Sequence, residues 1–281
     1  MSRIAKRFAE LKAAGRKAFI PFISAGDPDA ETSFAIMEKL PEAGADIIEL
    51  GMPFSDPMAD GPAVQASSLR ALRSGASMVH TLELVKKFRK KDDKTPIVLM
   101  GYFNPIHAYG AARFTRDAAV AGADGLIVVD LPPEEDEVLR VPAKAQGLDI
   151  IRLATPTSDD ARLATILKDA GGFIYYVSVT GVTGTKSFDA SQVEAAVGRI
   201  RKATSLPVAV GFGVKTPSHA AELARIADAV VVGSAIVSHI ADKMSASKAA
   251  LAQSVVELCR PLAASTHDAS SGAARNDKVQ A

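Results

Sequence analysis

Eight times along this chain, a short apolar run rich in β-branched residues is followed by an amphipathic helical pattern. The runs cover 18–24, 46–50, 97–101, 125–130, 149–154, 173–177, 208–211 and 229–233. Each has the length of a strand and is apolar nearly throughout, the pattern of parallel strands covered on both faces. Helical periodicity fills the stretches between them, at 30–43, 79–90, 113–121, 134–146, 159–170, 191–203 and 218–226. Eight strand–helix units predict an α/β protein folded as a (β/α)8 TIM barrel. A doubly wound open sheet is the alternative, but it usually carries fewer strands, and no Gly-x-Gly-x-x-Gly follows the first run.

A weak internal repeat supports the barrel. Ala43-Gly44-Ala45-Asp46 recurs as Ala121-Gly122-Ala123-Asp124, with a looser copy at Ile226-Ala227-Asp228-Ala229. Each closes a helix and enters a strand, and the glycine suits the left-handed position just past a helix end. Ile4, Phe8 and Leu11 share one helical face, so an extra N-terminal helix is expected to cover one end of the domain. A helical pattern over 246–262 is expected to complete the barrel, and short loop helices to decorate it. Nothing marks a linker, so residues 1–264 read as a single domain and residues 265–281, rich in Ala, Ser, Gly, Asp and Asn, as a disordered tail.

Composition excludes several function classes. The formal net charge of +1 offers no field for nucleic acid or an anionic membrane. No apolar run is long enough to span a bilayer, and the basic N-terminus lacks a signal-peptide core. The single cysteine, Cys259, rules out an intrachain disulfide and fits a cytoplasmic protein.

Chemistry concentrates after the second run. Glu49 sits near the end of Asp46-Ile47-Ile48-Glu49-Leu50, among residues that favour burial. A carboxyl there resists ionisation, which moves its pKa toward the range useful for proton transfer. Asp60 follows on a loop braced by Pro53, Pro57 and Pro62. Two carboxyls in unlike surroundings suggest an acid/base pair with divided roles. Plainer readings stand beside this one: Glu49 as half of a buried ion pair, Asp60 as the cap of a helix starting at Pro62, Asp56 as a turn residue before Pro57. In a barrel, both acids and Asp130 fall where strands end and loops begin, the face on which catalytic groups gather.

Glycine-rich turns follow the last three runs: Gly181-Val182-Thr183-Gly184, Gly211-Phe212-Gly213 and Gly233-Ser234-Ala235. Glycine lets backbone N–H groups approach an anion, and the helical pattern after Gly233 would present a helix N-terminus. Together they predict a phosphate site in the usual barrel position, although each alone is equally a structural turn. A Schiff-base aldolase needs a lysine on a strand, and the runs after the first carry none. His80, His107, His219, His239 and His267 are scattered, with no metal-ligand spacing. What remains is acid/base cleavage or isomerisation of a phosphorylated substrate, without a metal.

The string from Ile48 to Gly61 resembles the signature of the tryptophan synthase α subunit, and the resemblance extends from about Phe8 to about Leu262. Matching landmarks follow in order: Phe22-Ile23-Ser24-Ala25-Gly26-Asp27-Pro28, Gly101-Tyr102-Phe103-Asn104-Pro105, Asp130-Leu131-Pro132, and the three glycine turns. The resemblance implies a lyase of tryptophan biosynthesis that cleaves indole-3-glycerol phosphate to indole and glyceraldehyde 3-phosphate. It implies Glu49 as the group exchanging protons with indole C3 and the glycerol hydroxyl, and Asp60 as acceptor of the indole N–H. Tyr175 would hydrogen-bond the glycerol or orient Glu49, or else be a buried filler.

It carries over Gly184, Gly213, Gly233 and Ser234 as phosphate contacts, and residues 179–189, with Thr183 and Lys186, as a mobile lid. Phe22, Leu99, Met100, Ile127, Val129, Ile151, Leu153 and Phe212 are candidates for an apolar indole pocket, some of them necessarily barrel core. No cofactor is expected in this chain. A pyridoxal-phosphate-dependent β subunit is the implied partner, in an α2β2 heterotetramer, meeting the α chain through the loop with Pro53 and Asp56 and the loop around Asn104–Tyr109. Two departures from the commoner pattern stand out: Tyr176 follows Tyr175, leaving open which faces substrate, and Val179 and Thr180 replace the usual lid residues. Rival readings are another phosphate-binding barrel of the same pathway, or a barrel that only activates its partner.

Overall fold

The computed structural model describes residues 1–177, 190–211 and 213–269. Their elements run α1 (Arg3–Ala13), β1 (Ala18–Ser24), α2 (Ala30–Lys39), β2 (Ile48–Gly51), α3 (Pro62–Arg73), α4 (Met78–Arg89), β3 (Ile97–Gly101), α5 (Phe103–Tyr109) and α6 (Ala111–Ala121). Then follow β4 (Gly125–Val128), α7 (Glu137–Ala145), β5 (Asp149–Ile150), β6 (Arg152–Ala154), α8 (Asp160–Leu167), β7 (Ile174–Val177), α9 (Ala190–Ala203), β8 (Val208–Gly211), α10 (Pro217–Ile226), β9 (Ala229–Val232), α11 (Ser234–Asp242) and α12 (Lys248–Asp268).

Among these residues nine parallel strands are hydrogen-bonded in the order β5-β4-β3-β2-β1-β9-β8-β7-β6. Only Ile151 separates β5 from β6. The first pairs with β4 and the second with β7, while the Ile151 N–H still donates to the Leu126 carbonyl at 2.9 Å. The single strand expected over 149–154 therefore changes partner partway along, and that exchange closes the sheet into the predicted (β/α)8 barrel.

Strand alternation sorts the apolar residues into two cores. Ala18, Ile20, Ile47, Val98, Ile127, Ile151, Phe173, Ala209, Ala229 and Val231 meet inside the barrel. The alternate set, including Phe19, Ile48, Leu50, Leu99, Leu126, Tyr176, Val210 and Val230, packs under the helices. Both faces are dry, which explains the unbroken apolar runs. Helix α1 plugs the N-terminal end of the barrel with Ile4, Phe8 and Leu11, each contributing roughly 1.5–3 kcal/mol by burial. Ser2 caps this helix and also donates to the Asp149 carboxylate at 2.7 Å.

The internal repeat has a physical basis at the same end. Asp46 accepts the Phe19 N–H at 2.9 Å, Asp124 the Ile97 N–H at 2.8 Å, and Asp228 the Val208 N–H at 3.0 Å. Each acid thus satisfies a donor at the start of the neighbouring strand. Each also holds a basic side chain: His267 on Asp46, Arg3 and Arg89 on Asp124, Arg201 on Asp228. The glycine of the second copy, Gly122, takes the expected left-handed form at φ 102°.

Two boundaries differ from expectation. α12 continues to Asp268, past the expected start of the tail at 265, because Thr266 is buried and His267 bonds Asp46 at 2.7 Å. Residues 270–281 lie outside the described residues. The loop expected after β3 is helix α5, whose first N–H, at Phe103, is accepted by Asp130 from the next loop at 2.8 Å. That capping group is remote in sequence.

Asp124→Ala should leave Arg89 buried without its countercharge, since the two side chains are 4% and 10% exposed. Loss of about 3–5 kcal/mol in urea-unfolding free energy is the expected result, with turnover per folded molecule unchanged.

Candidate active site

Glu49 occupies an inward position of β2, in register with Phe22 of β1 and Val98 of β3. It is 2% exposed, and its Oε2 has no hydrogen-bond partner among the described residues. No basic group there pairs with it either, so the buried ion pair is not what this acid forms. Burial, reinforced by the charge of Asp60, pushes its pKa up to about 8. At neutral pH Glu49 is mostly a protonated acid.

Asp60 ends the loop between β2 and α3, and that loop is held at several points. Ser68 of α3 bonds both the N–H and the carbonyl of Phe54, at 2.8 and 2.9 Å. Gln65 donates to the Asp60 carbonyl at 2.9 Å. Tyr102, just past β3, donates its hydroxyl to Asp60 Oδ2 at 3.0 Å and accepts the Ala59 N–H at 2.9 Å. Asp60 does not cap α3: Gly61 is the N-cap, without a side-chain bond, and Pro62 opens the helix as expected. Burial raises the Asp60 pKa, opposed by the bond from Tyr102. The phenol of Tyr102 is raised in turn, first by burial and then by the Asp60 charge. Two carboxyls with different partners are the arrangement that separates acid and base roles.

Strand alternation settles the tyrosines. Tyr176 is buried in the outer core, whereas Tyr175 stands with the inner cluster beside Met100, Val129 and Leu153. Burial and the charges of Glu49 and Asp60 hold the Tyr175 phenol well above its ordinary pKa, so it stays a neutral donor. Gly211 makes room for it: a Cβ there would lie 2.6 Å from the Tyr175 hydroxyl.

Phe22, Met52, Asp60, Met100 and Tyr102 line a cleft at this mouth, with Pro53, Pro57, Val64 and Ser68 behind. Of the apolar candidates, Phe22 and Met100 line the cleft, and Val129 and Leu153 are partly buried in the upper inner layer. Ile127 and Ile151 are fully or almost fully buried in the barrel core. Leu99 belongs to the outer core and faces the helices, because it is one residue out of phase with Met100. Phe212 lies outside the described residues, as do Thr183, Gly184, Lys186 and the whole proposed lid. Of the phosphate candidates, Gly213 is exposed with φ +67°, Gly233 is the N-cap of α11 and Ser234 its first residue. Gly233 adjoins the cleft, since a Cβ on it would lie 3.4 Å from Phe22 Cβ.

Pro53 is half-buried, while Asp56 and Asn104 are exposed. The Phe54 and Tyr102 rings lie 5.4 Å apart, which brings the loop after β2 against the start of the loop after β3. Met58 in the first loop is 78% exposed. Tyr102, Gln65 and Ser68 had no assigned role from sequence. For Tyr102 a signal existed: a polar aromatic directly after a barrel strand. No described strand carries a lysine, and among the described residues no helix is long and apolar enough to cross a membrane.

Fold and site together define the class: a (β/α)8 barrel with two acids in unlike surroundings at its mouth. The family model for the tryptophan synthase alpha chain matches residues 8–267. The tryptophan synthase subunit alpha of Legionella pneumophila str. Paris is 40% identical, over 95% of this chain and 98% of that one, with a TM-score of 0.88. A tryptophan synthase chain from M. tuberculosis, in its aminoacrylate-bound form, is 34% identical over 95% and 100%, with a TM-score of 0.84. The chain belongs to the tryptophan synthase alpha chain family. It is a lyase of tryptophan biosynthesis that cleaves indole-3-glycerol phosphate, and the family implies a β-subunit partner.

The raised pKa of Glu49 has a sign. A protonated buried acid stabilises the fold fully below its unfolded pKa near 4.5, and that contribution is lost as pH rises through about 8. Glu49→Gln should therefore unfold at higher urea than the wild type at pH 9. The two midpoints should converge near pH 5.

Proposed function

We propose that Glu49 and Asp60 divide the acid–base work of indole-3-glycerol phosphate cleavage, with no cofactor in this chain. The observation that carries this reading is the buried carboxyl of Glu49, whose Oε2 has no hydrogen-bond partner among the described residues and whose pKa is pushed up to about 8, close to Asp60 and Tyr175. Indole is a poor carbanion leaving group, so C3 must gain a proton before the bond to the glycerol chain breaks. Glu49, protonated at neutral pH, delivers that proton. Its carboxylate then removes the proton of the 3′-hydroxyl as the C–C electrons return to the indolium ring. The proton gained replaces the one given, so Glu49 ends the cycle as it began.

Asp60 accepts the indole N1–H and stabilises the positive charge that develops on the ring. Tyr102 keeps the carboxylate aimed, and Tyr175 donates to the glycerol or to Glu49. The phosphate lies at Gly184, Gly213, Gly233 and Ser234, where the uncapped first turn of α11 supplies N–H groups and a positive dipole end. Phe22, Met100, Val129, Leu153 and Phe212 flank the indole ring, Ile127 floors the pocket, and 179–189 with Thr183 closes over it. The β subunit carries pyridoxal phosphate, docks on the surface of Pro53, Asp56 and Asn104 in an α2β2 assembly, and receives indole there. The setting is cytoplasmic. Residues 1–264 act as one unit, with α12 extending it to Asp268.

Indole release from indole-3-glycerol phosphate, with and without a β subunit, tests the reading. Glu49→Gln should reduce turnover by about 10²–10⁴-fold. Asp60→Asn should lower kcat much more than it raises KM, as expected for a group acting on transition-state charge. A near-wild-type rate for either variant removes that residue from the mechanism. The rate of kcat/KM should fall as pH rises through about 8, where free Glu49 loses its proton.

A further inference from the structure

Three side chains of α3 and its C-cap tie down the end of β1 and the loop after it. Ser67 Oγ lies 2.6 Å from Ser24 Oγ, Arg70 donates to both oxygens of Asp27 at 2.8 Å each, and Ser74 Oγ donates to the Gly26 carbonyl at 2.9 Å. Residues 67, 70 and 74 are neighbours on a helix surface. The central contact is the strongest of the three: Asp27 is 1% exposed and its partner presents a planar, bidentate fork. The turn that presents Asp27 packs closely on the end of α3, since a Cβ on Gly26 would lie 2.8 Å from Ala76 Cβ.

Arg70 also reaches a third element. Its Nη2 lies 3.5 Å from the carbonyl of Val237 in α11, and α3 packs directly on α11. α3 begins at Pro62, one residue beyond the Gly61 that follows Asp60, and α11 begins at Ser234. Arg70 therefore links α3, whose first turn follows Asp60, to α11 and to the loop after β1. A substrate held by its phosphate at α11 and by its indole N–H at Asp60 must match the distance between those helix starts.

We infer that Arg70 is a positioning residue that sets this span through Asp27 and the Val237 carbonyl. The inference rests on the proposed roles of Asp60 and of the α11 phosphate site. Lysine keeps the charge but cannot satisfy two carboxylate oxygens and a carbonyl in one plane. Misplacing bound substrate by a fraction of an ångström to an ångström lowers the rate of a positioned reaction by one to two orders of magnitude.

The experiment compares Arg70→Lys, Asp60→Asn and the wild-type chain, each with a β subunit, in indole release and in binding of glycerol 3-phosphate as a probe of the phosphate end alone. Arg70→Lys should lower kcat about tenfold or more while glycerol 3-phosphate affinity stays within about twofold. Weaker glycerol 3-phosphate binding with unchanged kcat overturns the inference, because Arg70 then only supports the phosphate helix. Wild-type kcat in Arg70→Lys overturns it too, and an inactive Asp60→Asn beside it leaves the proposed function standing. An active Asp60→Asn removes both. If Arg70→Lys does not fold, the double variant Asp27→Asn with Arg70→Gln removes the buried charges together and should show the same kcat-selective loss. Loss of folding in both variants makes the pair a stability element and overturns the positioning role.

Discussion

Closure of the parallel sheet governs this molecule. A strand buried on both faces needs apolar partners on both, and the chain meets that need with two concentric cores separated by the strand backbones. The inner core is filled at one end by α1 and by the lower strand residues, while the other end carries the two acids. Every inward position near the mouth therefore faces a choice between packing and chemistry. Glu49, Met100, Val129, Leu153 and Tyr175 occupy those positions, one pleat above residues that only pack.

Placed there, Glu49 acquires its chemistry from what surrounds it. A carboxyl walled by Phe22 and Val98 and, among the described residues, left without a basic partner is costly to ionise, so the acid form persists at neutral pH. Asp60 lies at the same mouth but receives a hydroxyl bond from Tyr102, which favours its charged form. The difference between the two acids is a difference in hydrogen bonding and solvation, not in residue type. Family membership as a tryptophan synthase alpha chain supplies the reaction to which such a difference is suited.

Helix α3 turns a loop into a fixed platform. Its Gln65 and Ser68 hold the Asp60 loop from one side, while Ser67, Arg70 and Ser74 hold the β1 loop from the other. The loop's exposed tip, with Asp56 and Met58, is thereby joined through these bonds to the acid that faces the cleft.

The sequence by itself determined the architecture and singled out a pair of acids. Unbroken apolar runs can only be strands covered on both faces, and eight of them alternating with helices admit few folds. An acid inside such a run, followed by a proline-braced second acid, was legible for the same reason: it breaks a strong pattern. Period-2 alternation could also have separated Leu99 from Met100, but apolarity alone does not say which parity faces inward. Tertiary structure decided that parity, placed Tyr175 inside and Tyr176 outside, and capped α5 with Asp130 from another loop. It paired Tyr102 with Asp60 and Arg70 with Asp27, contacts that span 42 and 43 residues. Local patterns report what a segment prefers to bury. Which distant polar groups meet, and so which acid keeps its proton, depends on how the closed barrel brings its loops together.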